Sequence, residues 1–205
     1  GLGKRLHKST VNNIRTVLCD LFSYAMDNDL CTKNPAKGIK IIGTDKRKIV
    51  TLSREDQRDF FFMAKGCFYY NLYIVAVNTG LRSGELRALT LDDIDFENNT
   101  INVTKTLTYF RKSSKDDFLG YKISIPKTKS SIRTVPMNSI CRKAIEDQVQ
   151  QLNTLPPIDY DSDVLGKLLF VTRNNRPLMD EVLGSSIRTV RNNVNKIRAS
   201  QNQPL

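Results

Sequence analysis

Asn78-Thr-Gly-Leu-Arg-Ser-Gly-Glu-Leu-Arg-Ala-Leu-Thr-Leu-Asp-Asp-Ile-Asp95 places an arginine between two helices. Upstream of it, Leu72, Ile74, Val75, Ala76 and Val77 form an apolar run that predicts a helix over about 68–79, buried on most sides. Gly80 supplies a left-handed stop, and a second short helix restarts after Arg82 and ends near Leu89. Arg82 is therefore expected on a rigid corner, where a planar, permanently charged fork suits a phosphate. Glu85, one turn later, can orient that side chain or a neighbouring backbone group. The plainer alternative is an arginine that caps a helix end or pairs with Glu85 at the surface.

Downstream of this corner the hydrophobic period changes from helical to alternating. A turn at 95–100 leads into a strand over 101–107, and further strands are expected at 121–126 and 132–136, around a polar turn at Lys129-Ser-Ser131. The polar stretch 111–117 reads as an exposed insertion. These strands among helices predict an α+β fold, mostly helical, with a small three-stranded antiparallel sheet. A helix over 139–153 should turn Ile140, Ala144, Ile145, Val149 and Leu152 inward. A loop at 159–163, a short apolar run, Leu168-Leu-Phe-Val171, and a last helix over 180–199 follow. On the upstream side, Ser53 before Arg54-Glu55-Asp56 signals the start of a helix over 54–65. An amphipathic helix over 9–30, with Val11, Ile14, Val17, Leu18 and Leu21 on one stripe, is expected to run until Asn34-Pro35 stops it.

Charge narrows the partners. The 205 residues carry a net charge of +11, distributed as +6 over 1–50, −3 over 51–100, +6 over 101–150 and +2 over 151–205. Two basic blocks flanking an acidic helical region favour a polyanion, with nucleic acid the commonest candidate. A basic surface without a specific ligand is the bland alternative. No apolar run reaches the length of a membrane span, and Lys4, Arg5 and Lys8 are not followed by the apolar region of a secretory signal. Cys19, Cys31, Cys67 and Cys141 lack metal-ligand spacing and are expected to be reduced thiols of a cytoplasmic protein that holds no metal or cofactor.

The stretch around Arg82 resembles the first arginine box of the tyrosine recombinase (phage integrase) family, and Pro126-Lys-Thr-Lys-Ser-Ser-Ile-Arg-Thr-Val-Pro136 resembles that family's β-hairpin. The resemblance implies a site-specific DNA recombinase of a mobile element, most like the integrases of conjugative transposons, working through a 3′-phosphotyrosyl intermediate. Arg82 would grip the non-bridging oxygens of the scissile phosphate, supported by Glu85. A hairpin lysine would protonate the departing 5′-oxygen. Lys127 fits the family's Lys-Thr wording, whereas Lys129 lies nearer the tip of the turn. Lys46, Arg47, Lys48, Lys129 and Arg133 are the expected DNA-backbone contacts. Residues 1–44 resemble the end of a helical core-binding domain, 45–51 a linker, and 52–205 the first part of the catalytic domain. Implied partners are double-stranded DNA and further recombinase protomers, as a tetramer on DNA, with no membrane.

The chain also departs from that family's pattern. Its single histidine is His7, it has no tryptophan, and its last tyrosine, Tyr160, comes too early to be the nucleophile. The expectation is a chain without the attacking tyrosine, inactive alone, and with Phe170, Val171, Leu183, Ile187 and Val190 left partly uncovered. A non-catalytic DNA-binding module or regulator derived from an integrase is the alternative.

Overall fold

Local capping sets where the helices begin and end. In the computed structural model, which describes residues 6–41, 51–109, 120–125, 131–158 and 165–201, the chain divides into two compact units, Gly1–Leu52 and Ser53–Leu205. The first unit is dominated by helix α1 (Lys8–Asp27), which starts at an extended His7 rather than at Ser9. It stops well before Asn34-Pro35, because Asn28 caps it and Asp29 turns left-handed at φ 57°. Asn34 has another role. Its amide donates to the Cys19 carbonyl at 2.9 Å and to the Ser23 hydroxyl at 3.2 Å, folding the following segment back along the helix and burying Ala36. No residue of α1 is buried.

In the second unit, α2 (Arg54–Ala64) opens on a reciprocal cap in which Ser53 and Asp56 satisfy each other's backbone N–H. Helix α3 (Tyr70–Thr79) buries Leu72, Tyr73 and Val75 and exposes only Val77 of its ten residues, in keeping with the expected burial on most sides. Helix α4 (Ser83–Arg87) follows the Gly80 corner. Strands β1 (Ile94–Asp95), β2 (Thr100–Val103), β3 (Thr106–Tyr109), β4 (Tyr121–Ser124) and β5 (Arg133–Pro136) lead to α5 (Ser139–Leu152) and α6 (Asp180–Ser200). The core joins α3 and α5 to the sheet through Leu72, Val75, Ile101, Val103 and Ile145, with Leu169 and Phe170 entering from the later apolar run. Each such fully buried side chain is worth about 1.5–3 kcal/mol. Arg198 of α6 ties down α2 by pairing with Asp56 and Asp59 at 2.7 Å each.

The α+β class is as expected, but the sheet is composed differently. The alternating run over 101–107 is two strands broken at Thr104-Lys105. β2 joins a three-stranded antiparallel sheet in the order β1-β2-β5, while β3 pairs with β4 in a separate ribbon. At the break, Lys105 occupies the parity on which Ile101, Val103 and Leu107 are buried, and its ammonium turns to Asp93 and Thr90. Consequently β4 and β5, expected as the two arms of one hairpin, belong to different sheets. Ile140, expected inward, is exposed on the outer side of α5. Phe170, Val171, Leu183 and Val190, expected to be partly uncovered, are buried, and only Ile187 of that group stays exposed. The insertion at 111–117 and the loop at 159–163 lie outside the described residues.

Candidate phosphate-binding site

Gly80 closes α3 at φ 63°, donating its N–H to the Ala76 carbonyl at 2.9 Å. That left-handed residue turns the chain sharply, and Leu81 drops into the core as an anchor. Arg82 then stands in extended conformation at the head of α4, with φ −66° and ψ 151°. Its backbone N–H donates to Glu85 Oε2 and its Nη1 to Glu85 Oε1, both at 2.9 Å. Glu85 thus orients both the arginine side chain and the arginine backbone.

Sequence reasoning placed Arg133 among the DNA contacts, but the structure brings it to the same carboxylate. From β5 its Nη2 reaches Glu85 Oε2 at 2.8 Å and its Nη1 reaches Oε1 at 3.0 Å, a two-toothed contact. Exposure separates the three side chains: Arg82 is 73% exposed, Arg133 31% and Glu85 5%. The hydrogen bonds from Arg133, then those from Arg82, hold the Glu85 carboxyl down at about 2 against the opposing effect of burial. The corner is therefore a buried anion with two cations, one turned outward and one turned in.

Lys105 was not singled out by sequence reasoning. It sits in the β2–β3 break, where its Nζ donates to Asp93 Oδ2 at 2.8 Å and Thr90 Oγ1 at 2.9 Å. Glu85, Asp93, Asn102 and Lys105 line one small crevice, so Lys105 shares a crevice with the carboxylate that holds the arginine corner. The available signal was its parity, a lysine at an inward position of an otherwise apolar alternation. Lys46, Arg47, Lys48, Lys127 and Lys129 lie outside the described residues.

The body of α4 is built against β3. Gly84 packs so closely that a Cβ there would come within 2.5 Å of Thr106 Oγ1 and 3.4 Å of the Leu107 carbonyl oxygen. Arg87 is buried, giving Nη1 to the Leu178 carbonyl at 2.8 Å and Nη2 to Asp180 Oδ2 at 2.9 Å. These contacts fix the short helix between β3 and the start of α6.

Sequence comparison agrees with this architecture. The sequence profile of the phage integrase family matches residues 51–202. The chain belongs to the phage integrase family. This integrase-family chain is 37% identical to a "Tyrosine recombinase XerC-like" protein of Caldanaerobacter subterraneus, over 63% of its own length and 35% of that protein's. It is 30% identical to the "Transposase from transposon Tn916" of Enterococcus faecalis, over 82% of its length and 41% of that protein's. Among solved structures it resembles the Tn1549 transposon integrase in complex with a circular intermediate DNA, with a TM-score of 0.78 and 27% identity over 93% of this chain and 60% of that one. It therefore spans well under half the length of these two sequence relatives. Among its described residues no helix is long and apolar enough to cross a membrane, and no group of His, Cys, Asp and Glu could hold a metal ion. The four cysteines are free thiols.

Proposed function

We propose that these 205 residues are part of a site-specific DNA recombinase of a mobile element, an integrase, and that their share of its work is to hold duplex DNA and one scissile phosphate. In this reading 52–205 contribute to the catalytic domain, 1–44 to a core-binding domain and 45–51 to the linker between them. The observation that carries the reading is the Arg82 corner: a cation 73% exposed, oriented from beneath by a carboxylate only 5% exposed. That arrangement presents guanidinium donors without the reorganisation that a free surface arginine would need. A net charge of +11 supplies the long-range attraction to DNA.

Three lysines compete to be the proton donor to the leaving 5′-oxygen. Lys127 and Lys129 follow from the resemblance alone. Lys105 is supported by its place in a strand break that shares a crevice with Glu85. To act on DNA it must leave Asp93, and a flexible four-carbon stem permits that. Strand cleavage is not assigned to any residue of this chain, and tetrameric assembly on DNA rests on the family resemblance.

The test is an affinity titration against duplex DNA. If several phosphates are held, affinity falls steeply between about 50 and 200 mM salt. A response flat in salt overturns the DNA reading, and a covalent protein–DNA adduct formed by these residues on a nicked duplex overturns the division of labour.

A further inference from the structure

Two cations share one carboxylate at the α4 corner, and the number of hydrogen bonds each gives decides which is available to a ligand. Among the described residues, four donors meet the two oxygens of Glu85: the Arg82 N–H, Arg82 Nη1, and both Nη1 and Nη2 of Arg133. Arg133 uses its whole fork, whereas Arg82 lends a single guanidinium nitrogen. A buried carboxylate with unfilled acceptor positions would draw in the more mobile guanidinium until its donors were consumed.

We propose that Arg133 is a positioning residue: by occupying Glu85 with both terminal nitrogens from β5, it limits Arg82 to one side-chain contact and leaves the remaining Arg82 donors for a DNA phosphate. This rests on the reading of Arg82 as a phosphate-binding residue. Direct DNA contact by Arg133 fits the geometry less well. Arg133 shares the inward parity of Val135 in β5, opposite the exposed Thr134 and Pro136. Its Nη1 is also shared with the Ser131 carbonyl at 3.3 Å. Its backbone is held by β2 in the register Val103↔Arg133, so the fork is referenced to the sheet and not to the helix it steadies. Arg133 thereby couples the arginine corner to the sheet strand that precedes Lys105.

A double-mutant cycle separates the two roles, using Arg133→Met, Glu85→Gln and the double variant against a fluorescein-labelled random-sequence duplex at low salt. Arg133→Met should weaken binding on the order of tenfold in the parent protein, because the vacated carboxylate captures Arg82. In the Glu85→Gln background the same change should cost less than about twofold, since a neutral amide has no such pull. Equal losses in both backgrounds would mean that Arg133 touches DNA itself, and the proposal would be wrong. A second measurement needs no variant: in spectra of 15N-arginine-labelled protein, added duplex should shift the Arg82 side-chain resonances and leave those of Arg133 in place. Shifts of equal size overturn the positioning role. If the Arg82 resonances do not respond and Arg82→Ala binds like the parent, the phosphate-binding reading fails first and takes the proposal with it.

Discussion

The two ends of α4 carry one arginine each and treat it in opposite ways. At the head of the helix, Arg82 is 73% exposed and leans on a buried carboxylate. At its foot, Arg87 is 3% exposed, and its guanidinium is spent on the Leu107 and Leu178 carbonyls and on Asp180. Chemically the two residues are identical, so what separates the proposed phosphate-binding arginine from the scaffolding one is whether the fold has already used its donors. A fork with its N–H groups satisfied inside the protein cannot offer them to a phosphate. By this criterion Arg133 stands with Arg87, although its charge alone would group it with Arg82.

The largest effect is expected at the scaffolding end. Arg87→Ala leaves the Leu107 and Leu178 carbonyls without the guanidinium that meets them, which should destabilise the second unit by about 2–5 kcal/mol. A thermal melt should show the midpoint falling on the order of 10 °C. A fall of less than about 2 °C would erase the contrast between the two ends.

Acid should act next most strongly, and at the corner. Because the folded-state pKa of Glu85 lies at about 2, below its ordinary 4.5, its ionised form stabilises the fold above about pH 4.5. That contribution, roughly 3 kcal/mol, is lost as pH falls from about 4.5 towards 2. Asp56, bound by Ser53 and Arg198, is likewise lowered, from 3.8 to about 2, and loses its stabilising role as pH falls from about 3.8 towards 2. Urea midpoints measured at neutral pH and near pH 2.5 should therefore differ, and Glu85→Gln should flatten the difference without abolishing it. An unchanged slope in that variant would show that Glu85 does not carry the linkage.

Between these extremes lies Gly84→Ala. The new methyl meets Thr106 Oγ1 and the Leu107 carbonyl, so either β3 or the helix must give way. Overpacking of this kind costs about 1–3 kcal/mol, and alanine's better helix propensity returns less than about 1. Because the strain falls at the contact between α4 and β3, DNA affinity should drop along with stability. Loss of stability without loss of affinity would mean that the corner tolerates movement of β3.

How much of this was legible in the sequence depends on the distance over which each feature is determined. The Gly80 stop and the Arg82–Glu85 contact are local, one set by the sign of φ and the other by a three-residue helical spacing, and both can be read from 78–95. The Ser53 cap is legible for the same reason. The contact between Arg133 and Glu85 spans 48 residues and depends on which strands pair, which alternation alone does not decide. The missed break at Thr104-Lys105 hid that pairing, since a strand read as continuous from 101 to 107 left β5 without its true neighbour. Arg87 gave no signal at all, because an arginine in a short helix reads as solvated until the Leu178 and Leu107 carbonyls are seen around it.

The smallest effect on stability is expected at Arg82, and there the contrast within α4 is sharpest. Removing an exposed side chain whose ion pair is with a carboxylate already held by Arg133 should cost less than about 1 kcal/mol. The Arg82 backbone N–H still satisfies Glu85, so the helix keeps its start. Binding should respond differently: one lost phosphate contact should lower the slope of log affinity against log salt by about 1, across all duplex sequences. Arg82→Ala and Arg87→Ala are thus expected to be mirror images, the first changing affinity with the melting point preserved, the second changing the melting point. If Arg82→Ala instead lowers the melting point by many degrees and leaves the salt slope untouched, then both ends of α4 are scaffold, and the DNA phosphate must be sought elsewhere.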